Sequence, residues 1–234
     1  MARAVVYALI ASSALVIGGA VGAWRPVSTR VTSALLAFAS GALITAVAFD
    51  LFEEAFGRGG AVRTGIAFAA GATVFVLIDS WLDRRTEARR SSGANIGFAL
   101  LAGVTLDGVP ENLAMGVSLI GSASPTLLVA IFASNLPEAL VGARRMADAG
   151  LSRGRVLVIW SATALLLAAA VVAGRALLGD VDPETLAWPL GFAAGAVLAS
   201  LADTLMPEAF EEGGPTVAYA TALGFLLSYL ISAA

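Results

Sequence analysis

Two carboxylates stand where nearly every neighbour is apolar. Glu111 lies in Asp107-Gly-Val-Pro-Glu-Asn-Leu113 and Glu138 in Ser134-Asn-Leu-Pro-Glu-Ala-Leu140, and each directly follows a proline. On helices, Asp107 and Glu111 share a face, as do Ser134 and Glu138, each pair four residues apart; Asn135 is three from Glu138. Pro110 and Pro137 lack a backbone N–H, which leaves the carbonyls of Leu106 and Ala133 short of their usual partners and open to water or a cation. Carboxylates, an amide, a hydroxyl and loosened carbonyls form an oxygen donor set for a divalent cation. The chain has no histidine and no cysteine, so imidazole, thiolate and disulfide chemistry are excluded. A serine–histidine or metal–histidine constellation is excluded with them, and the chain is read as a binding or transport protein, not an enzyme, with no cofactor.

The elements that must position these groups follow from composition. Of 234 residues, 59% are hydrophobic and 13% charged, with a mean hydropathy of +0.88, which is outside the range of a soluble domain. A spanning helix takes about 20 apolar residues, and apolar runs bounded by Gly, Pro and charge clusters predict eight, at about 4–24, 31–56, 61–82, 95–120, 124–147, 155–178, 185–210 and 214–232. The expected fold is thus all-α, one polytopic transmembrane domain over 1–234. The first run has an alternative reading as a cleaved leader, but its removal would leave seven spans and break the symmetry described below.

Glu111 is the seventeenth residue of the 26-residue run 95–120 and Glu138 the fifteenth of the 24-residue run 124–147, so both fall near mid-membrane. A charged side chain at that depth costs about 2.5–3.5 kcal/mol on insertion scales, and it is expected to face a cavity, a partner or an ion. The bland alternative is that the prolines only kink the helices and the acids are protonated or hydrogen-bonded. Two such pairs on antiparallel helices, with no basic residue near mid-span, favour a bound cation. Asp50 and Asp203 lie deep enough in their spans to extend the route, whereas Glu53, Glu54, Glu211 and Glu212 read equally well as solvated helix ends. Asp79 is expected to pair with Arg84 or solvent, and Trp24, Trp81, Trp160 and Trp188 to anchor span ends at the interface.

All 14 basic residues are arginine and the net charge is −3, which argues against a nucleic-acid face. With the N-terminus outside, Arg25, Arg30, Arg84, Arg85, Arg89, Arg90, Arg144, Arg145, Arg153 and Arg155 fall on inner connections, and Arg3, Arg58, Arg63 and Arg175 on outer ones. This ten-to-four split places both termini outside, under the rule that short cytoplasmic loops are rich in Arg. The arginine-rich connection at 83–94 is then a topology anchor near anionic lipid.

Residues 36–60 align without gaps on 190–214, with 12 of 25 positions identical, among them Phe38/Phe192, Gly41/Gly195, Glu54/Glu208, Phe56/Phe210 and the closing glycine pair. These are the second and seventh spans, which run in opposite directions. That is the mark of an inverted duplication, in which helices 1–3 (4–82) mirror helices 6–8 (155–232) around a central pair (95–147). Interrupted helices at such a repeat interface point to the binding site, and both Pro-Glu pairs meet that description.

At these motifs the sequence resembles the Zrt-/Irt-like (ZIP) divalent metal transporters, over nearly the whole chain. That family has eight spans in a three-plus-two-plus-three inverted arrangement, with His-Asn-x-Pro-Glu-Gly on the fourth helix and a related x-Pro-Glu motif on the fifth. Pro110-Glu111 and Pro137-Glu138 match it, Asn135 matches the amide or acid position, and Asp107 and Ser134 stand where a histidine or its substitute would be. Gly108 replaces the usual Asn, and the sixth span carries no acid for a second metal. The resemblance therefore implies one ion among Asp107, Glu111, Asn135 and Glu138. It implies passive or secondary transport of a divalent cation across the cell membrane, zinc first, although an all-oxygen site suits manganese better than zinc; iron is a further candidate. A non-transporting scaffold or metal sensor is the alternative. A homodimer is compatible with the sequence and not implied by it.

Overall fold

The structure, a computed structural model, describes residues 1–87, 94–120 and 125–233, and the side chains of all of these except 83, 85–87 and 94–102. Residues 88–93 of the arginine-rich connection at 83–94 therefore lie outside the described residues. Every described element is helical: α1 (Ala2–Trp24), α2 (Thr29–Thr45), a π-helical segment (Ala46–Phe52), α3 (Glu53–Glu87), α4 (Ala94–Ser118), α5 (Pro125–Asp148), α6 (Arg153–Leu178), α7 (Ala187–Ser200), a second π-helical segment (Leu201–Leu205), α8 (Met206–Gly213), a 3₁₀ turn (Gly214–Thr216) and α9 (Val217–Ser232). The starts are written locally. Ser28 caps α2 by accepting from the Val31 N–H at 3.4 Å, and Pro125 opens α5 where its missing N–H costs nothing.

Where eight spans were expected, five segments among the described residues are long and apolar enough to cross a membrane: Ala2–Trp24, Thr29–Leu82, Pro125–Asp148, Arg153–Leu178 and Ala187–Ser232. The difference has a physical reason. Segments of 54 and 46 residues would be roughly 80 and 70 Å long if straight, more than twice a hydrocarbon core of about 30 Å. Neither is straight. Gly60 breaks the first at φ 72, ψ 176, and Gly214 breaks the second at φ 65, ψ −164, conformations open to glycine and strained for other residues. These glycines occupy aligned positions in the 36–60 and 190–214 stretches, and the two π-helical segments overlap in the same alignment.

Helices meet by backbone contact. In lipid there is no hydrophobic force between apolar helices, so close approach at small residues supplies the packing energy. A Cβ on Gly41 of α2 would overlap the Thr221 carbonyl of α9, and one on Gly224 of α9 the Phe38 carbonyl of α2. In the same way Gly195 of α7 sits on the Phe68 carbonyl of α3, and Gly71 of α3 on the Phe192 carbonyl of α7. The two contacts use aligned residues. A second matched set joins α1 to α5, where Gly22 meets the Leu140 carbonyl, and α6 to α4, where Gly174 meets the Leu113 carbonyl; Leu113 and Leu140 hold the same place in the two Pro-Glu motifs.

Two groups of helices result. α1, α4, α5 and α6 pack on one another, as do α2, α3, α7, α8 and α9, and the groups meet chiefly along α2 with α5 and α4 with α7. Leu9, Leu77, Leu165 and Leu177 are 63–77% exposed, the outward face expected of a bundle dissolved in hydrocarbon. Trp24, Trp81 and Trp188 are likewise exposed near helix ends. Trp160 is not an interface anchor as expected: it is fully buried, its ring set in a slot opened by Gly19 of α1 and Gly142 of α5.

Candidate metal-binding site

Pro110 and Pro137 sit inside α4 and α5 without ending either helix. Four of the polar residues around them are sealed from the surface, Glu111 at 5% exposed and Asn112, Ser134 and Asn135 at 0–1%, while Asp107 and Glu138 are half-buried. Asp107, Glu111 and Glu138 are electrostatic neighbours of one another across α4 and α5. Glu111 Oε1 and Asn135 Nδ2 are buried with no hydrogen-bond partner. A buried polar atom left unpaired costs about 1–3 kcal/mol, more if charged, so this arrangement calls for a ligand. A half-turn of the Asn135 amide would put its Oδ1 where Nδ2 stands, converting an unused donor into an acceptor for a cation.

The remaining expected residues divide. Ser134 Oγ donates to the Ile131 carbonyl at 3.1 Å, which ties up its proton but leaves oxygen lone pairs. Asp107 is part of the cluster and accepts a hydrogen bond from Ser200 of α7, with Asp79 and Asp203 as further electrostatic neighbours. Asp79 thus belongs to the surroundings of Asp107, a placement that its expected pairing with Arg84 did not convey. Asp50 is half-buried in the first π-helical segment and is an electrostatic neighbour of Glu54, one turn away. Asp203 is exposed. It falls in the second π-helical segment, where the wider turn shifts residues off the 3.6-residue register from which a helix face is read. Among the described residues no three acidic side chains converge closely enough to hold one ion. A single ion here would be shared by at most two carboxylates and completed by neutral oxygens.

Asn112 was passed over in the sequence. Its Nδ2 donates to the Gly108 carbonyl at 2.8 Å, and its Oδ1 is buried without a partner beside Glu111 in the chain. The signal was there: an amide directly after the central acid on a helix already loosened by proline. Ser200 gave none, since its contact with Asp107 depends on how α7 lies against α4. Gly108 also has a local explanation, because a Cβ there would come within 2.7 Å of the Leu167 side chain of α6. An Asn at 108 would have to displace that leucine.

No family model matches the sequence. A protein of Arabidopsis thaliana named "Putative zinc transporter" is 30% identical over 184 residues, covering 74% of this chain. The chain spans 29% of the length of that relative. The fold and the site together define an all-helical protein with membrane-length apolar helices and a buried, oxygen-lined acidic centre.

Proposed function

We propose that the chain is a ZIP-like transporter that carries a divalent metal cation, zinc first and iron or manganese as alternatives, across the cell membrane. One observation carries this reading: Glu111 Oε1 is buried and unpartnered on a membrane-length helix, beside Asp107 and Glu138. An ion supplies the counter-charge that the protein does not. The name of the Arabidopsis relative supports a metal as the cargo. Carboxylates bind zinc, and an oxygen-only donor set leaves manganese close behind. Ser134 and Asn135 would complete the shell, Asp107 would sit on one side of it, and Asp50 and Asp203 belong to the outer and inner approaches.

The membrane arrangement in this reading is eight crossings in a three-plus-two-plus-three inverted repeat. Breaks at Gly60 and Gly214 support dividing each long segment into two crossings, and α4 adds one more. The matched glycine contacts of α2 with α9 and α7 with α3 support a duplication whose halves exchange partners. Transport would follow from one helical group moving against the other along α2–α5 and α4–α7. A reporter fused after Gly150 is expected in the cytosol and one fused to the C-terminus outside; both on one side would mean an even number of crossings between them, where this reading has three, and would end the inverted-repeat reading.

The decisive functional test is uptake of zinc into liposomes holding the purified protein, followed with an enclosed zinc-sensitive dye. Flux above protein-free liposomes is expected, with no need for ATP. Zinc binding without flux would instead support the scaffold or sensor reading.

A further inference from the structure

Seven residues beyond Glu138, α5 carries Arg145, two helical turns away and therefore on nearly the same face. Its guanidinium lies 2.6 Å from Glu208 Oε1 and 3.7 Å from Glu212 Oε1, both on α8. Glu208 is also an electrostatic neighbour of Glu138, so the carboxylate that holds the arginine interacts with the midplane acid as well. We propose that Arg145 is a tethered cation that closes the inner exit of the metal route by occupying Glu208. This rests on the transport reading above.

Three features of the geometry support it. A guanidinium stays charged at any working pH, so it repels a divalent cation leaving toward the inner face for as long as it sits on Glu208. The pair joins α5 of one helical group to α8 of the other, so motion of the groups must break it. Both partners are partly exposed, at 44% and 29% of the side chain, and such pairs are weak enough to be displaced by an arriving cation competing for Glu208.

The aligned end of the molecule is built differently. Glu54, the repeat counterpart of Glu208, pairs at 2.6 Å with Arg58 on its own helix. Ser118 stands on α4 where the Pro-Glu alignment would put a counterpart of Arg145. The cross-group ion pair therefore has no equivalent at the outer end in this alignment, and the two exits are gated by different means.

The test uses wild type, Arg145→Gln, Arg145→Lys and the exchange Arg145→Glu with Glu208→Arg in zinc-loaded or zinc-free liposomes. Arg145→Gln is expected to raise the initial zinc rate about two- to fivefold, the size expected for losing one partly exposed ion pair. Arg145→Lys and the exchange, which keep a cation–carboxylate pair, are expected to stay within about twofold of wild type. A readout independent of transport comes from Ser134→Cys, a lone cysteine in a chain that has none. A membrane-impermeant thiol reagent added from the inner side should label it faster when Arg145→Gln is also present. A rate for Arg145→Gln equal to or below wild type, or labelling that does not change, overturns the gate. Absence of zinc flux in wild type counts against the transport reading, and the labelling comparison then decides the gate alone.

Discussion

Glu111→Gln and Glu138→Gln are each expected to lower zinc flux at least tenfold while the protein still folds. Glutamine keeps the shape and one oxygen but removes the charge that offsets the ion's lost water. One charge–cation contact in a partly dehydrated cavity is worth more than about 1.4 kcal/mol, a factor of ten. Glu211→Gln, at an exposed position on α8, should change flux little. The comparison counts only if melting in detergent without metal shows that the variants fold. Since a buried carboxylate with an unpartnered oxygen costs stability, Glu111→Gln should melt no lower than wild type in the absence of metal. Variants that fold and move zinc like wild type would make the midplane acids structural.

Gly41→Val and Gly195→Val should each destabilise the protein markedly. At both positions the obstacle is a backbone carbonyl, of Thr221 and Phe68 respectively, which cannot rotate aside as a side chain can. The two helices must part, and overpacking of about 1–3 kcal/mol corresponds to a fall in melting temperature of roughly 5–10 °C. Gly57→Ala and Gly65→Ala, where nothing lies within 4 Å, should be silent or slightly stabilising. The matched response of 41 and 195 is the informative part. Gly41→Val melting with wild type while Gly195→Val collapses would mean that α2–α9 and α7–α3 are not equivalent contacts.

Helix positions were legible in the sequence because a membrane imposes length and Gly and Pro punctuate it. The expected 124–147 is observed as Pro125–Asp148 and the expected 4–24 as Ala2–Trp24. The break between the second and third runs was placed at 57–60 and falls at Gly60. What could not be read depends on how distant helices register against one another. Trp160 looked like an interface residue until Gly19 and Gly142 proved to make its slot. The Asp107–Ser200 contact and the Arg145–Glu208 pair each join residues more than 60 apart, with no local pattern to betray them. The central acids were legible for the opposite reason. A carboxylate next to proline in an apolar run is conspicuous in one dimension, and burial of Glu111 with an unpartnered oxygen is what that pattern implies in three.

Anomalous diffraction from zinc-soaked crystals, recorded on both sides of the zinc absorption edge, shows whether Glu111 and Glu138 hold the cargo ion between α4 and α5. If they do, a peak is bounded by their carboxylate oxygens at about 2.0–2.2 Å, with Asn135 Oδ1 turned toward it. Well-ordered zinc elsewhere in the crystal, with no peak between these two acids, would contradict this placement of the ion.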